Sequence, residues 1–325
     1  MLLATSLLII GLLLVVYSAD RLVFAASLLC RRLGVPPLII GMTVVTVGTS
    51  LPEIIVAFAA SLRDQPNLAI GTAIGSNITN ILLILGLATL LRPLRIHSGI
   101  LRREIPLMLL VTALAGIFLW DCTLTRYEGV ILLGVAALYL LLSVKIAQQA
   151  QHQGCDSLTR EQLAELPSEG ALPVAFLWLG VALIIMPMAT HMVIDNATVI
   201  ANYFGVSDLL IGMTILAIGT GLPELATAIA GARKGEDSIA IGNIIGANIF
   251  NIAIVLGLPA LIAPGNINPL VIQRDYWVMA LVSVIFALLC WRRSVETGKF
   301  AGALLLCGFI AWLVMLIMGI SPFVE

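Results

Sequence analysis

Charge is what this chain has least of. Asp, Glu, Lys and Arg make up 11% of its 325 residues, while 60% are apolar and the mean hydropathy is +1.10. A soluble domain carries about 25% charged residues, so a soluble fold is excluded. The 17 basic residues are matched by 18 acidic ones, a formal net charge of −1, which leaves no basic field to hold nucleic acid. Histidine occurs three times and cysteine five times, with no C-x-x-C pair and no His at ligand spacing. Cys30, Cys122, Cys155, Cys290 and Cys307 therefore read as free thiols, not as a disulfide framework or a zinc site. No H-E-x-x-H, G-x-S-x-G or paired catalytic aspartate motif is present, which argues against an intramembrane enzyme.

What is abundant is apolar sequence in runs of bilayer length. A hydrocarbon core of roughly 30 Å is crossed by about 20 helical residues. About ten such runs occur: 2–29, 36–61, 68–91, 104–120, 127–146, 172–200, 207–232, 239–262, 276–291 and 300–319. The first has no basic stretch before it and no small-residue cleavage pattern after it, so it reads as a membrane helix and not as a secretory signal. Ten crossings put both termini on one side, and cytoplasmic loops carry the excess of Lys and Arg. With the N-terminus outside, Arg31, Arg32, Arg92, Arg95, Arg102, Arg103, Lys145, Arg160, Arg233, Lys234, Arg292, Arg293 and Lys299 fall inside, whereas Arg63, Arg126 and Arg274 fall outside. Both termini are therefore expected outside. The longest polar joint, residues 148–170, is then a cytoplasmic linker, in which Thr159 and Gln162 form a capping box for a short helix.

One stretch of the first half recurs in the second at a constant offset of 171 and without a gap. Residues 41–93 open with GMTVVTVGTSLPE and residues 212–264 with GMTILAIGTGLPE, and about 24 of 53 aligned positions are identical. Shared apolar composition does not produce that. The chain thus divides into an N-terminal five-helix repeat (1–147), the linker, and a C-terminal five-helix repeat (171–325). An odd number of crossings per repeat makes the second copy enter the membrane from the opposite side. Inverted repeats with interrupted helices are the usual construction of secondary transporters, with the binding site near the midplane.

The interruption is G-T-[SG]-L-P-E: Gly48, Thr49, Ser50, Leu51, Pro52 and Glu53 in one copy, Gly219, Thr220, Gly221, Leu222, Pro223 and Glu224 in the other. Proline lacks an amide hydrogen and clashes with the carbonyl one turn back, so carbonyl oxygens near each break lose their helical partners. A carboxylate at that depth costs several kcal/mol by insertion scales. Its occurrence in both copies marks Glu53 and Glu224 as functional. The next span of each copy holds G-x-x-x-G and N-x-x-N: Gly71, Gly75, Asn77 and Asn80, then Gly242, Gly246, Asn248 and Asn251, with Ser76 beside the first set. The glycines read as packing residues, and for each asparagine alone hydrogen bonding between helices is as good a reading as ligation. Two carboxylates with carboxamide, hydroxyl and freed carbonyl oxygens suit a hard cation, and a deformable site favours Ca²⁺ or Na⁺ over Mg²⁺. Asp20 with Arg21, and Asp195, lie outside the repeat and read as self-paired or near-interface charges; His191 reads as a packing or interface residue.

These two motifs resemble the alpha repeats of the calcium/cation antiporter superfamily, and more closely those of bacterial calcium/sodium antiporters. The resemblance implies an all-α membrane protein of about ten transmembrane helices in two inverted five-helix repeats. By the same resemblance it is expected to lie in the bacterial inner (plasma) membrane and to exchange Ca²⁺ for Na⁺ by alternating access. No cofactor and no obligate protein partner are implied; the ions are substrates and the lipid bilayer is the environment. The same resemblance makes Glu53, Glu224, Thr49, Ser50, Ser76, Asn80, Thr220 and Asn251 the metal ligands. Gly221 and Ala247 stand where serines are usual, so two hydroxyl ligands are missing from the second copy. Asn251 stands where some relatives have aspartate, which argues against potassium coupling. A cation/proton antiporter using the same glutamates is the main alternative, and a passive channel a lesser one.

Overall fold

A computed structural model of the chain describes residues 2–33, 35, 37–64, 66–95, 101–152, 172–203, 217–291 and 296–318. Helix α1 is Leu2–Leu33. The second apolar run is broken into α2 (Gly41–Thr49) and α3 (Leu51–Leu62), bent by 51°. Then follow α4 (Pro66–Leu91), α5 (Leu101–Leu119), α6 (Arg126–His152), α7 (Leu172–Tyr203), α8 (Ala217–Thr220), α9 (Leu222–Lys234), α10 (Asp237–Ile262), α11 (Val271–Cys290) and α12 (Lys299–Met318). Seven described helices are long and apolar enough to cross a bilayer, eight with the bent pair. The other two expected runs are a shorter apolar helix, Glu104–Leu119, and 207–232, which is described only from Ala217 onward. The expected linker is helical to His152; the rest of it, with Thr159, Gln162 and Cys155, lies outside the described residues.

Four two-residue strands occur among the described residues. β1 (Leu94–Arg95) pairs antiparallel with β4 (Glu296–Thr297), and β2 (Thr123–Leu124) with β3 (Gly265–Asn266). Each tie gives partners to backbone groups just outside a helix end.

The two repeat-related helices α4 and α10 are the most enclosed, with 78% and 83% of their apolar windows buried, against 22% for α7 and α12. The expected close packing at the glycines of α4 is not what encloses it: Gly71 is exposed with nothing within 4 Å of a Cβ built there, and Gly75 meets only the Trp312 ring, at 3.9 Å. The peripheral helices instead expose Leu13, Leu141, Leu177, Met188 and Leu304, an outward apolar face suited to lipid.

The chain forms two compact units, and neither coincides with one repeat. One takes Met1–Pro52 and Ser143–Asn243, the other Glu53–Leu142 and Ile244–Glu325. In the first unit α1 lies along α7, with Leu28, Leu29 and Ala175 buried at their contact. Asp20 of α1 is paired: it bonds Arg21 at 3.3 Å and Lys234 of α9 at 2.8 Å. The Arg21 guanidinium also lies over the rings of Tyr17 and Trp178, at 5.3 and 5.0 Å. In the second unit α12 packs on α4, where a Cβ at Gly302 would lie 2.7 Å from the Thr89 hydroxyl and 2.8 Å from the Gly86 carbonyl. On α11, the Tyr276 hydroxyl donates to the Thr112 carbonyl of α5 at 3.2 Å. Cys30, Cys122, Cys290 and Cys307 are free thiols.

Candidate functional site

The two breaks share one backbone geometry. Ser50 has φ −83° and ψ 4°, and Gly221 has φ −81° and ψ 1°. Pro52 and Pro223 then sit in the first turn of α3 and α9, where a missing amide hydrogen costs no helical bond. Glu53 and Glu224 follow in the same first turns, at the positive ends of these helices. The negative, carbonyl-bearing ends of α2 and α8 lie immediately before them in the chain, at Thr49 and Thr220. Each break therefore sets a carboxylate next in the chain to a helix C-terminal end, a pairing that a cation stabilises.

In the first unit the side chains converge. Thr49, Ser50, Thr220 and Glu224 are all at most 2% exposed. The Ser50 hydroxyl donates to Glu224 Oε1 at 3.0 Å, so a residue of the first repeat binds the acid of the second. Glu224 Oε2 is buried with no partner within 3.5 Å among the described residues, and the Thr49 hydroxyl also faces this carboxylate. The Thr49 hydroxyl donates to Asn243 Oδ1 at 3.1 Å, and the Thr46 hydroxyl to the Gly41 carbonyl at 2.8 Å.

The second unit carries Glu53, Ser76, Asn80 and Asn251, all buried. Asn80 Nδ2 donates to Asn248 Oδ1 at 3.1 Å, and Asn77 Nδ2 to the Asn248 carbonyl at 3.2 Å. Two methionine sulfurs complete the cluster: Asn77 Nδ2 points to Met279 Sδ at 3.5 Å and Asn248 Nδ2 to Met108 Sδ at 3.8 Å. Both the asparagines and the methionines are related by the offset of 171. Ser76 Oγ, Asn77 Oδ1 and Asn251 Oδ1 are buried oxygens with no partner among the described residues. Asn80 and Asn251 each start a π-helical turn, Asn80–Leu85 and Asn251–Val255, which rotates the following residues relative to a regular α-helix.

Of the predicted ligands, Ser50 and Glu224 touch each other, Thr49 is tied to Asn243 and Asn80 to Asn248. Thr46, Asn243, Met108 and Met279 are additional residues that the motifs did not flag. Met108 and Met279 carried a signal, since the 171 offset persists beyond Pro93 and Pro264. Among the described residues no three or more His, Cys, Asp or Glu side chains cluster as metal ligands. A cation held here relies on carboxylate, carboxamide, hydroxyl and carbonyl oxygens.

Residues 3–145 and 174–318 match the family described as sodium/calcium exchanger protein. The inner membrane protein YrbG of Escherichia coli K12 is 71% identical over 97% of both chains. The putative antiporter CaxA of Alkalimonas amylolytica is 44% identical, covering 96% of this chain and 98% of its own. A solved structure of the sodium-calcium exchanger NCX_Mj, soaked with Na⁺ and Sr²⁺, superposes with a TM-score of 0.82 at 29% identity, over 96% of this chain and 98% of the other.

Proposed function

This chain belongs to the sodium/calcium exchanger protein family, and on that premise we propose that it exchanges Ca²⁺ for Na⁺ at its paired glutamates by alternating access. Family and fold make it a transporter, not an enzyme, and an integral multi-pass membrane protein. The observation that carries the ion reading is the Glu224 carboxylate: buried in an apolar span and met, among the described residues, by the neutral hydroxyls of Ser50 and Thr49. Such a group needs a cation or a further donor.

In the proposed cycle Glu53 and Glu224 supply the charge, while Thr49, Ser50, Ser76, Asn80, Thr220 and Asn251 supply neutral oxygens. One Ca²⁺ or several Na⁺ neutralise the acids, and either filling permits re-orientation; bare acids forbid it. More than two Na⁺ per Ca²⁺ moves net charge, so the membrane potential contributes about 2.3 kcal/mol per charge per 100 mV. The proton-coupled alternative finds no support in the relatives described above. The name of the Escherichia coli relative supports an inner-membrane location, and the Lys/Arg distribution supports external, periplasmic termini. Lipid and the transported ions are the only partners the reading requires.

The test is ⁴⁵Ca²⁺ uptake into proteoliposomes loaded with Na⁺. Wild type accumulates Ca²⁺ only while the Na⁺ gradient lasts, and Glu53→Gln and Glu224→Gln each abolish accumulation. Full uptake by either variant refutes the ligand role. Uptake that follows a pH gradient without Na⁺ refutes sodium coupling.

A further inference from the structure

We infer that Asn243 is a positioning residue for the transported cation, because it takes the only hydroxyl proton of Thr49 and so leaves the oxygen's lone pairs to the ion. This rests on the reading of Thr49 as a ligand. A hydroxyl has one proton and two lone pairs, and it can ligate a cation only if the proton points elsewhere. In a dry site that proton needs a fixed acceptor.

Asn243 provides one. Its side chain is fully buried, as are Thr46 and Thr49. Thr49 Oγ1 lies 3.1 Å from Asn243 Oδ1 and 3.4 Å from the Thr46 carbonyl, and it also faces the Glu224 carboxylate, which a bound cation would engage in its place. Thr46 also reaches Oδ1, at 3.2 Å, but the Gly41 carbonyl at 2.8 Å is its nearer acceptor. Asn243 Oδ1 is therefore left to Thr49.

Gly41 sets this geometry. A Cβ there would lie 2.6 Å from the Ile239 carbonyl and 3.0 Å from the Ile239 Cα, so only glycine lets α2 come so near to α10. Asn243 lies one turn beyond Ile239, and Thr46 and Thr49 lie one and two turns beyond Gly41. The repeat counterpart of Asn243 is Thr72, whose own hydroxyl is committed to the Leu68 carbonyl at 2.8 Å. The carboxamide acceptor at position 243 is thus replaced by a committed hydroxyl at position 72.

The experiment compares Thr49→Val, Asn243→Leu and the double variant in Na⁺-driven ⁴⁵Ca²⁺ uptake, reading half-saturating Ca²⁺ separately from maximal rate. Each single change is expected to raise half-saturation about five- to tenfold, the value of one lost polar contact, and the double variant to be no worse than Thr49→Val alone. A purely structural role for Asn243 would instead lower the yield and maximal rate and add to the effect of Thr49→Val. That additive outcome, or a normal half-saturation in Asn243→Leu, overturns the inference while leaving Thr49 as a ligand. A normal half-saturation in Thr49→Val overturns the ligand reading and the inference together. If Asn243→Leu yields no folded protein, Asn243→Ala removes the same acceptor without added bulk and is judged by the same criteria.

Discussion

Replacing Asn248 by Leu tests how the carboxamide cluster is held. The side chain is 1% exposed and close to leucine in size. Its loss leaves Asn80 Nδ2, whose acceptor stood at 3.1 Å, as a buried donor with nothing to bind. That costs about 1–3 kcal/mol. The bond from Asn248 to Met108, at 3.8 Å, is long and contributes little. The bond from Asn77 goes to the Asn248 backbone and survives the change. Added apolar burial returns up to about 1 kcal/mol, so the net loss is about 1–2 kcal/mol. Followed by tryptophan fluorescence in detergent, the melting temperature should fall by about 2–6 °C. Asn80 is then free to turn, so half-saturating Ca²⁺ in vesicle uptake rises roughly fivefold. Met108→Leu, which leaves the Asn80 acceptor in place, should change neither quantity measurably. A wild-type melting curve and Ca²⁺ dependence in Asn248→Leu, or equal damage from Met108→Leu, would show that Asn248 does not hold Asn80 in this way.

Gly221→Ser should fold normally, because φ −81° and ψ 1° already suit a serine. By supplying one of the missing hydroxyls it is expected to lower half-saturating Na⁺, and an unchanged Na⁺ dependence would remove that position from the ligand set. Gly302→Leu drives a side chain into Thr89 and Gly86 and should cost roughly 1–3 kcal/mol, read as a lower melting temperature; an unchanged one would contradict the contact between α12 and α4. Alkaline phosphatase fused at either end of the chain should be active, as periplasmic termini require, and cytosolic fluorescent fusions at both ends would reverse the orientation.

Sequence reveals what is local or repeated. The apolar runs, the Pro52 and Pro223 breaks and the acids behind them follow from composition, proline chemistry and the 171-residue offset. Contacts between distant residues do not. Nothing in the motifs says that Ser50 donates to the acid 174 positions away, since that depends on how α9 packs. The π turns starting at Asn80 and Asn251 are equally silent, because a single inserted residue is selected by packing and leaves no periodic trace. Asn243 was hidden for the opposite reason. It breaks the repeat, with Thr72 as its counterpart, and a search for symmetry passes over it.

The first unit joins Met1–Pro52 to Ser143–Asn243, so it cannot close until the ribosome has read nearly 200 codons past Pro52. At about 5–20 residues per second that delay is roughly 10–40 s. Throughout it, α1 waits in the nascent membrane with Asp20 lacking the lysine that will later bind it. Until then Arg21, on the same helix, is the basic partner of Asp20, and assembly of this unit is a late event in synthesis.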